Sequence, residues 1–475
     1  MNGTQINWVA TLALLSWPVV AFWLYSTRRL SRATAWTILG GQLLLPVGAV
    51  IKLAPGVPQL DKATIPNLAA LLGCVFVARQ RVRLSRIGLA EVFLLMLFVG
   101  PFITSELNGD MVITGGVPLP GLGYYDALSW VESQFALLLA FFLGRQFLRN
   151  SADSAEILRA LVVAGLLYSI PMLVEIRLSP QLHNWVYGYH AHAFDQQMRE
   201  GGFRPTVFMG HGLLVAFFMM TAVVAATALW RARARVAPVS QAAVTSYLCV
   251  VLVLCKTLSA LLYGAVLVPL VRLATPRLQL RVAVVLAIIA LGYPMARMTD
   301  LIPTRLLLDW SASYNAEREQ SLGFRFANEG QLLERASQRF IFGWGGFSRG
   351  RVYDIESGKE TSVTDGRWII TLGQFGLFGF LAEFGLLALP IFSAAGAWRF
   401  TESAQDRVFL AALALILAVN LIDLLPNSPL FPWTWLLCGA LLGRAEALRS
   451  ARRPAKSGFV LSDKTFHTRY FNTNQ

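Results

Sequence analysis

Charge is what this chain has least of. Only 14% of its 475 residues are Asp, Glu, Lys or Arg, against 55% hydrophobic, and the mean hydropathy is +0.54. A soluble domain cannot hide that much apolar surface, whereas a bundle of membrane helices needs it. Cysteine is equally sparse. Cys74, Cys249, Cys255 and Cys438 all fall inside or at the rim of apolar runs, which excludes a disulfide framework and a zinc pattern. No Pro/Ser-rich linker, internal repeat or low-complexity tract divides the sequence, so residues 1–450 read as one integral membrane domain. The segment Met1 to Asn7 lacks the positive region of a cleaved signal peptide. The first apolar run is therefore expected to be a retained helix with its amino end outside.

The net charge of +14 would suit a nucleic-acid partner, but its distribution excludes one. Arginines gather between alternate apolar runs, at Arg28 to Arg32, Arg79 to Arg86, Arg145 to Arg159, Arg231 to Arg235, Arg272 to Arg281, Arg399 to Arg407 and in a tail from Arg444. That alternation is the positive-inside pattern of a polytopic membrane protein. Thirteen runs approach the length of a span: 8–25, 34–53, 65–78, 88–105, 131–147, 160–176, 212–230, 243–256, 259–271, 282–298, 368–396, 408–425 and 431–448. The expected fold is an all-α transmembrane bundle of about 13 helices, with the N-terminus periplasmic and residues 451–475 a basic cytoplasmic tail. Gly373, Gly376 and Gly379 recur along the eleventh run at the spacing of a helix-packing face.

What the chain does have is one long polar stretch, residues 299–367, holding ten acidic and nine basic residues. It is expected to be a large, partly helical outer loop. Within it Arg325 to Phe340 has amphipathic spacing, and Arg325, Arg335 and Arg339 fall within an arc of about 80° on a helical wheel. Three guanidinium groups on one side suit an anion such as a pyrophosphate; the alternative is a solvated face paired with Glu329 and Glu334. Phe342-Gly-Trp-Gly-Gly-Phe-Ser-Arg-Gly350 follows, carrying Trp344 and Gly345. It either turns backbone N–H groups toward an anion or simply ends the helix. Asp365 and Arg367 lead into the eleventh run, at the expected depth of a lipid-linked head group. Asp365 is either a general base for a hydroxyl or a helix N-terminal carboxylate.

A second loop, residues 177–211, contributes Arg199, Arg204 and His211. It also holds His183, His190 and His192, whose spacing matches no metal-ligand pattern and whose neighbours Trp185, Tyr187 and Tyr189 suit a membrane interface. Lys256 interrupts two apolar runs. A cation at that depth is either functional or snorkels to the outer surface. Glu91, Glu383 and Asp423 read as lesser cases, near helix ends or paired.

These features together resemble the O-antigen ligase and O-antigen polymerase superfamily of membrane glycosyltransferases. The resemblance rests on Phe203-Arg-Pro205 before a helix, Lys256 in a tight turn, the Arg-bearing helix followed by Gly343-Trp-Gly-Gly346, and Asp365 leading a glycine-spaced helix. Arg199 to Gly210, Arg335 to Gly346 and Arg339 to Gly350 also fit the Arg-x10-Gly pattern described for the polymerases. The chain departs from the ligases in having Lys256 where they often have Arg, and Asp365 where they often have His.

The resemblance implies a C-type glycosyltransferase fold in the bacterial inner membrane, acting without metal or cofactor. Its substrates would be an undecaprenyl-pyrophosphate-linked oligosaccharide and an acceptor glycan, with a chain-length regulator and a flippase of the same pathway as partners. Arg199, Arg204, Lys256, Arg325, Arg335 and Arg339 would then hold the pyrophosphate, Arg367, Trp344 and Gly345 would line the substrate, and Asp365 or His211 would take the acceptor proton. The expected activity is a polysaccharide polymerase. A ligase moving finished glycan is the nearest rival, and a transporter or an envelope scaffold a more distant one.

Overall fold

A computed structural model of the chain describes residues 7–52, 58–82, 87–191, 194–199, 201–236, 238–314 and 316–451. Arg83, Arg86, His192 and the expected basic tail beyond 451 lie outside the described residues. Most of what is described is helical. The chain begins with α1 (Trp8–Thr27), α2 (Leu30–Leu44), α3 (Thr64–Leu72, continued by a π-helical turn at Gly73–Val77) and α4 (Leu89–Glu106). A small hairpin, β1 (Val112–Thr114) and β2 (Val117–Leu119), leads to α5 (Tyr124–Phe147), α6 (Ser151–Leu178) and the short α7 (Leu182–Tyr187). A second tiny hairpin, β3 (Met198–Arg199) and β4 (Gly202–Phe203), precedes α8 (Gly212–Arg231), α9 (Gln241–Leu254), α10 (Leu258–Leu273) and α11 (Pro276–Met298). The polar stretch forms α12 (Thr304–Tyr314) and α13 (Ala316–Ser337), and the chain finishes with α14 (Arg367–Ala397), α15 (Ala404–Asp423) and α16 (Pro432–Ser450).

Each of the thirteen apolar runs contains described helix, although the second, 34–53, is helical only as far as Leu44. Eight of the described helices, α1, α4, α5, α6, α8, α11, α14 and α15, are long and apolar enough to cross a membrane. Helices α8 and α15 are apolar all round through their middle turns, as befits the centre of a bundle, and most residues of each are buried. By contrast α1 exposes Trp8, Leu12, Leu15, Val19, Phe22 and Trp23 along its length, a surface suited to lipid. Helices α5 and α16 approach most closely. A Cβ on Gly144 would meet the Leu436 carbonyl at 2.5 Å, one on Gly439 the Phe141 carbonyl at 2.0 Å, and one on Gly443 the Arg145 carbonyl at 2.4 Å. Small residues let the backbones touch, and van der Waals contact then holds the pair where lipid supplies no hydrophobic drive.

The eleventh run corrects the sequence reading. Its glycine spacing predicts a packing face along a single run, 368–396, but α14 is broken at Gly376, whose φ is 65° and ψ is −164°. Arg367 and Glu383 would sit about 24 Å apart on a straight helix, yet their side chains form an ion pair at 2.5 Å. Thr371 Oγ1 also donates to Glu383 Oε2 at 2.6 Å. The chain must therefore fold back at Gly376, which brings Arg367 and Thr371 to Glu383. The break frees backbone groups, which cannot be left unpaired in a membrane. Trp344 N donates to the Gly373 carbonyl at 2.9 Å and Gly345 N to the Gln374 carbonyl at 2.8 Å. On the other side Leu377 N donates to Phe340 O at 2.8 Å and Phe378 N to Ile341 O at 3.0 Å.

Candidate functional site

A cavity of about 250 Å³ lies among α10, α11, α13, α14 and α15, lined by Tyr263, Tyr293, Arg325, Glu329, Asp365 and Ile422, among others. Arg325 Nε stands 3.8 Å from Asp365 Oδ2, and both side chains are more than a third exposed. Gly366, and not Asp365, is the N-cap of α14, which leaves the Asp365 carboxylate facing Arg325 instead of the helix end. Deeper in the same region Tyr263 lies near Asp423, which accepts from Asn427 Nδ2 at 3.0 Å.

Helix α13 is fixed over this cavity by a second carboxylate. Glu329 Oε2 accepts from the Tyr293 hydroxyl at 3.1 Å and from Arg297 Nε at 3.3 Å. Arg297 also lies over the Phe326 ring, 5.3 Å from its centroid. Burial pushes the Glu329 carboxyl above the usual carboxylate range, and the Arg297 charge opposes that shift. The result is a concave site with one accessible cation, one accessible carboxylate and buried proton-bearing groups behind them.

A second cluster gathers at the head of α8 and α10. Arg204 Nε donates to the Lys256 carbonyl at 3.3 Å, and Lys256 Nζ would be 2.5 Å from a Cβ on Gly202. His211 caps α8, its Nδ1 accepting from Leu213 N at 3.0 Å. The segment carrying Arg204 is held by Glu175, which is wholly buried. Glu175 Oε2 accepts from Thr206 N and Val207 N, each at 2.7 Å, and Oε1 from Leu182 N at 3.0 Å. Three N–H bonds to one carboxylate fix a segment that contains Val207 at φ 43°. The backbone of Arg199 belongs to β3, and its side chain lies outside the described residues. Lys256 precedes α10 and Tyr263 lies within it, so one helix runs from this cluster to the cavity.

Arg335 and Arg339 are not brought to Arg325. A helical wheel hides axial distance: ten residues separate Arg325 from Arg335, about 15 Å of rise. Arg335 stacks on one ring of Trp344, with its guanidinium carbon 3.7 Å from the centroid, and Arg339 on the same ring at 4.5 Å. Arg335 Nε donates to the Arg349 carbonyl at 3.2 Å, while Arg339 Nη1 donates to Leu107 O at 2.6 Å and Asn108 Oδ1 at 2.7 Å. Arg349, with no exposed surface, donates to the carbonyls of Asp110 at 2.7 Å and Pro120 at 2.8 Å. These arginines pin the segment after α13 to the segment between α4 and α5.

The expected lining residues are placed elsewhere as well. Trp344 is buried between the two arginines, and Gly345, at φ 75°, closes the α14 break. The Arg367 guanidinium is held by Glu383 away from the cavity, with Nε 3.1 Å from each carboxylate oxygen.

Tyr263, Tyr293 and Asp423 were missed as site residues. Both tyrosines sit in apolar runs where an aromatic residue reads as packing, and Asp423 ends a helix, where a carboxylate has ordinary explanations. No protein-family model and no curated protein matches this chain.

Proposed function

We propose that the chain is a membrane glycosyltransferase: a polysaccharide polymerase that transfers a lipid-pyrophosphate-linked glycan unit to an acceptor sugar hydroxyl with inversion. The observation that carries this reading is the Arg325–Asp365 pair, 3.8 Å apart in the wall of a cavity at the ends of apolar helices. An arginine offers forked, permanently charged donors to a departing diphosphate, and the carboxylate beside it is placed to receive a proton. In the proposed step the acceptor oxygen bonds to the anomeric carbon while the bond from that carbon to the phosphate oxygen breaks. The hydroxyl proton passes to Asp365 and the charge of the leaving diphosphate falls on cations. Preorganised charge at the place where charge develops is the main catalytic device such a site requires.

Arg204 and Lys256 extend the cationic path along α10, and an extended lipid-linked sugar diphosphate is a ligand able to meet both clusters. His211 is the weaker candidate base, because its Nδ1 already caps α8. Arg335, Arg339, Trp344, Gly345 and Arg367 take the role of holding the site's walls. The site falls in the inner membrane on this reading, with the polar stretch on the periplasmic side.

Purified protein in bilayer nanodiscs, given lipid-linked oligosaccharide alone, is expected to produce lengthened lipid-linked chains, and to do so in the presence of a metal chelator. Arg325→Ala and Lys256→Ala should each lower that yield by about a hundredfold or more, in line with loss of a positioned charge, with unchanged protein levels. Transfer only to a different acceptor would make the protein a ligase. Full activity in both variants would overturn the anion site, and full activity of Asp365→Asn would remove the proposed base.

A further inference from the structure

A second concavity, of about 700 Å³, lies far from the candidate site, where α8 ends, α11 and α15 begin and α14 ends. Four arginines line it, Arg231, Arg233, Arg277 and Arg407, and its lining includes no carboxylate. Along α15 it starts at Ala404, whereas the first cavity reaches Ile422 on the same helix, about 27 Å further by helical rise. That separation is close to the roughly 30 Å hydrocarbon thickness of a bilayer. A pocket at this height meets the head groups of the leaflet opposite the candidate site.

Its geometry favours an anion in three independent ways. Arg277 and Arg407 flank the Trp398 ring, with guanidinium carbons 5.9 Å and 5.2 Å from its centroid. Helices α11 and α15, each 20 residues or longer, begin in its wall, with Pro276 and Arg277 from one and Ala404 and Gln405 from the other. Their N-terminal dipoles add positive potential. The carbonyls that would oppose it are already occupied: Arg231 Nη1 donates to the Val271 and Ala274 carbonyls, Gln405 Nε2 to Ala232 O, and Arg407 Nε and Nη2 to Thr401 O. The nearby Asp406 is neutralised by Arg444.

We propose that this pocket binds a phosphate-bearing anion, the chemistry presented by the head group of an anionic bilayer lipid. Basic pockets between membrane helices recognise such head groups through charge-assisted bonds, and arginine's fork fits phosphate bidentately. The pocket would then tie the α14–α15 turn to α8 and α11 through a lipid in addition to the Gln405–Ala232 bond and the Arg277–Trp398 contact. Nothing in this inference depends on the glycosyltransferase reading.

The test is native mass spectrometry and thermal unfolding of detergent-purified full-length protein, titrated with phosphatidylglycerol, with phosphatidylcholine, and with soluble glycerol phosphate. Arg233→Gln/Arg277→Gln is the variant of choice, since neither residue caps a helix carbonyl. Phosphatidylglycerol is expected to bind and raise the melting temperature, phosphatidylcholine to do neither. The double variant should bind it about 10- to 100-fold more weakly, as for two lost charge-assisted contacts, with an unchanged melting temperature in phosphatidylcholine. Binding of glycerol phosphate at a similar affinity would assign the pocket to a soluble phosphate. Equal binding of both lipids, or undiminished phosphatidylglycerol binding by the variant, overturns the proposal.

Discussion

Gly376→Ala tests the architecture most directly. At φ 65° and ψ −164° the residue occupies backbone space that is essentially reserved for glycine, so any side chain there costs about 1–3 kcal/mol. The added Cβ would also lie 2.3 Å from both the carbonyl carbon and the carbonyl oxygen of Ile341, and 2.5 Å from Phe342 N. Those are backbone atoms, tied to α14 by the Phe378 N–H bond to Ile341 O, so no rotamer change relieves the clash. Overpacking of this kind costs about 1–3 kcal/mol more. The sum, about 2–6 kcal/mol, is a large part of the ~5–15 kcal/mol that holds a typical fold together.

Gly373, three residues earlier in α14, supplies the control. A Cβ there meets nothing within 4 Å, and replacing glycine by alanine inside a helix gains up to about 1 kcal/mol. Thermal and denaturant unfolding of the two variants in the same detergent should move in opposite directions, Gly376→Ala down and Gly373→Ala level or up. A Gly376→Ala protein within about 0.5 kcal/mol of wild type, the range of an innocuous surface change, would refute the folded-back α14. So would equal losses in both variants.

Three further outcomes are expected. Glu383→Ala strands the Arg367 guanidinium and should cost about 3–5 kcal/mol in unfolding experiments, whereas Arg367→Met/Glu383→Leu, which removes both charges, should recover most of it. Glu175→Gln keeps the volume but can no longer accept from Leu182, Thr206 and Val207 together; hydrogen exchange should quicken across residues 201–210 and product yield fall, with the protein still inserted in the membrane. Burial lowers the Lys62 amine to about 7. Since the folded pKa lies below the unfolded value, protonation favours the unfolded chain, so stability should climb from about pH 7 to about pH 10, by at most about 1.4 kcal/mol per pH unit. Lys62→Met should flatten that slope, and an unchanged slope would show that the amine is solvated.

The sequence made the bundle legible because a span is a one-dimensional signal: a run of apolar residues needs no partner to be read. Charge in the polar stretch was legible only as composition. Arg325 and Asp365 are 40 positions apart in sequence, and nothing local says that they meet. The wheel that grouped Arg325 with Arg335 and Arg339 is a projection, and it discards the rise that sends the latter two to Trp344. The three glycines of α14 have the spacing of a packing face, but only the partner strand of backbone, residues 340–345, distinguishes a packing glycine from a hinge. Tyr263 was invisible for the opposite reason, since a tyrosine inside an apolar run leaves the hydropathy pattern intact.

The hinge and the cavity are mechanically one device. Arg325 rides on α13, whose chain continues through residues 338–345 into the hydrogen bonds that close the α14 break. Asp365 precedes the first half of α14, which runs from the cavity wall at Gly366 to that same break. The gap between the cation and the carboxylate is thus fixed by two arms joined at Gly376, about 15 Å from Gly366 by helical rise. Angular error at the joint becomes displacement at the far end, and a misplacement of about 1 Å can cost a hundredfold in rate. Gly376→Ala protein that remains folded should therefore lose far more activity than stability, although it contacts no substrate. Retained activity in a destabilised Gly376→Ala variant would show that the pair is positioned by the Glu329–Arg297–Tyr293 anchor alone.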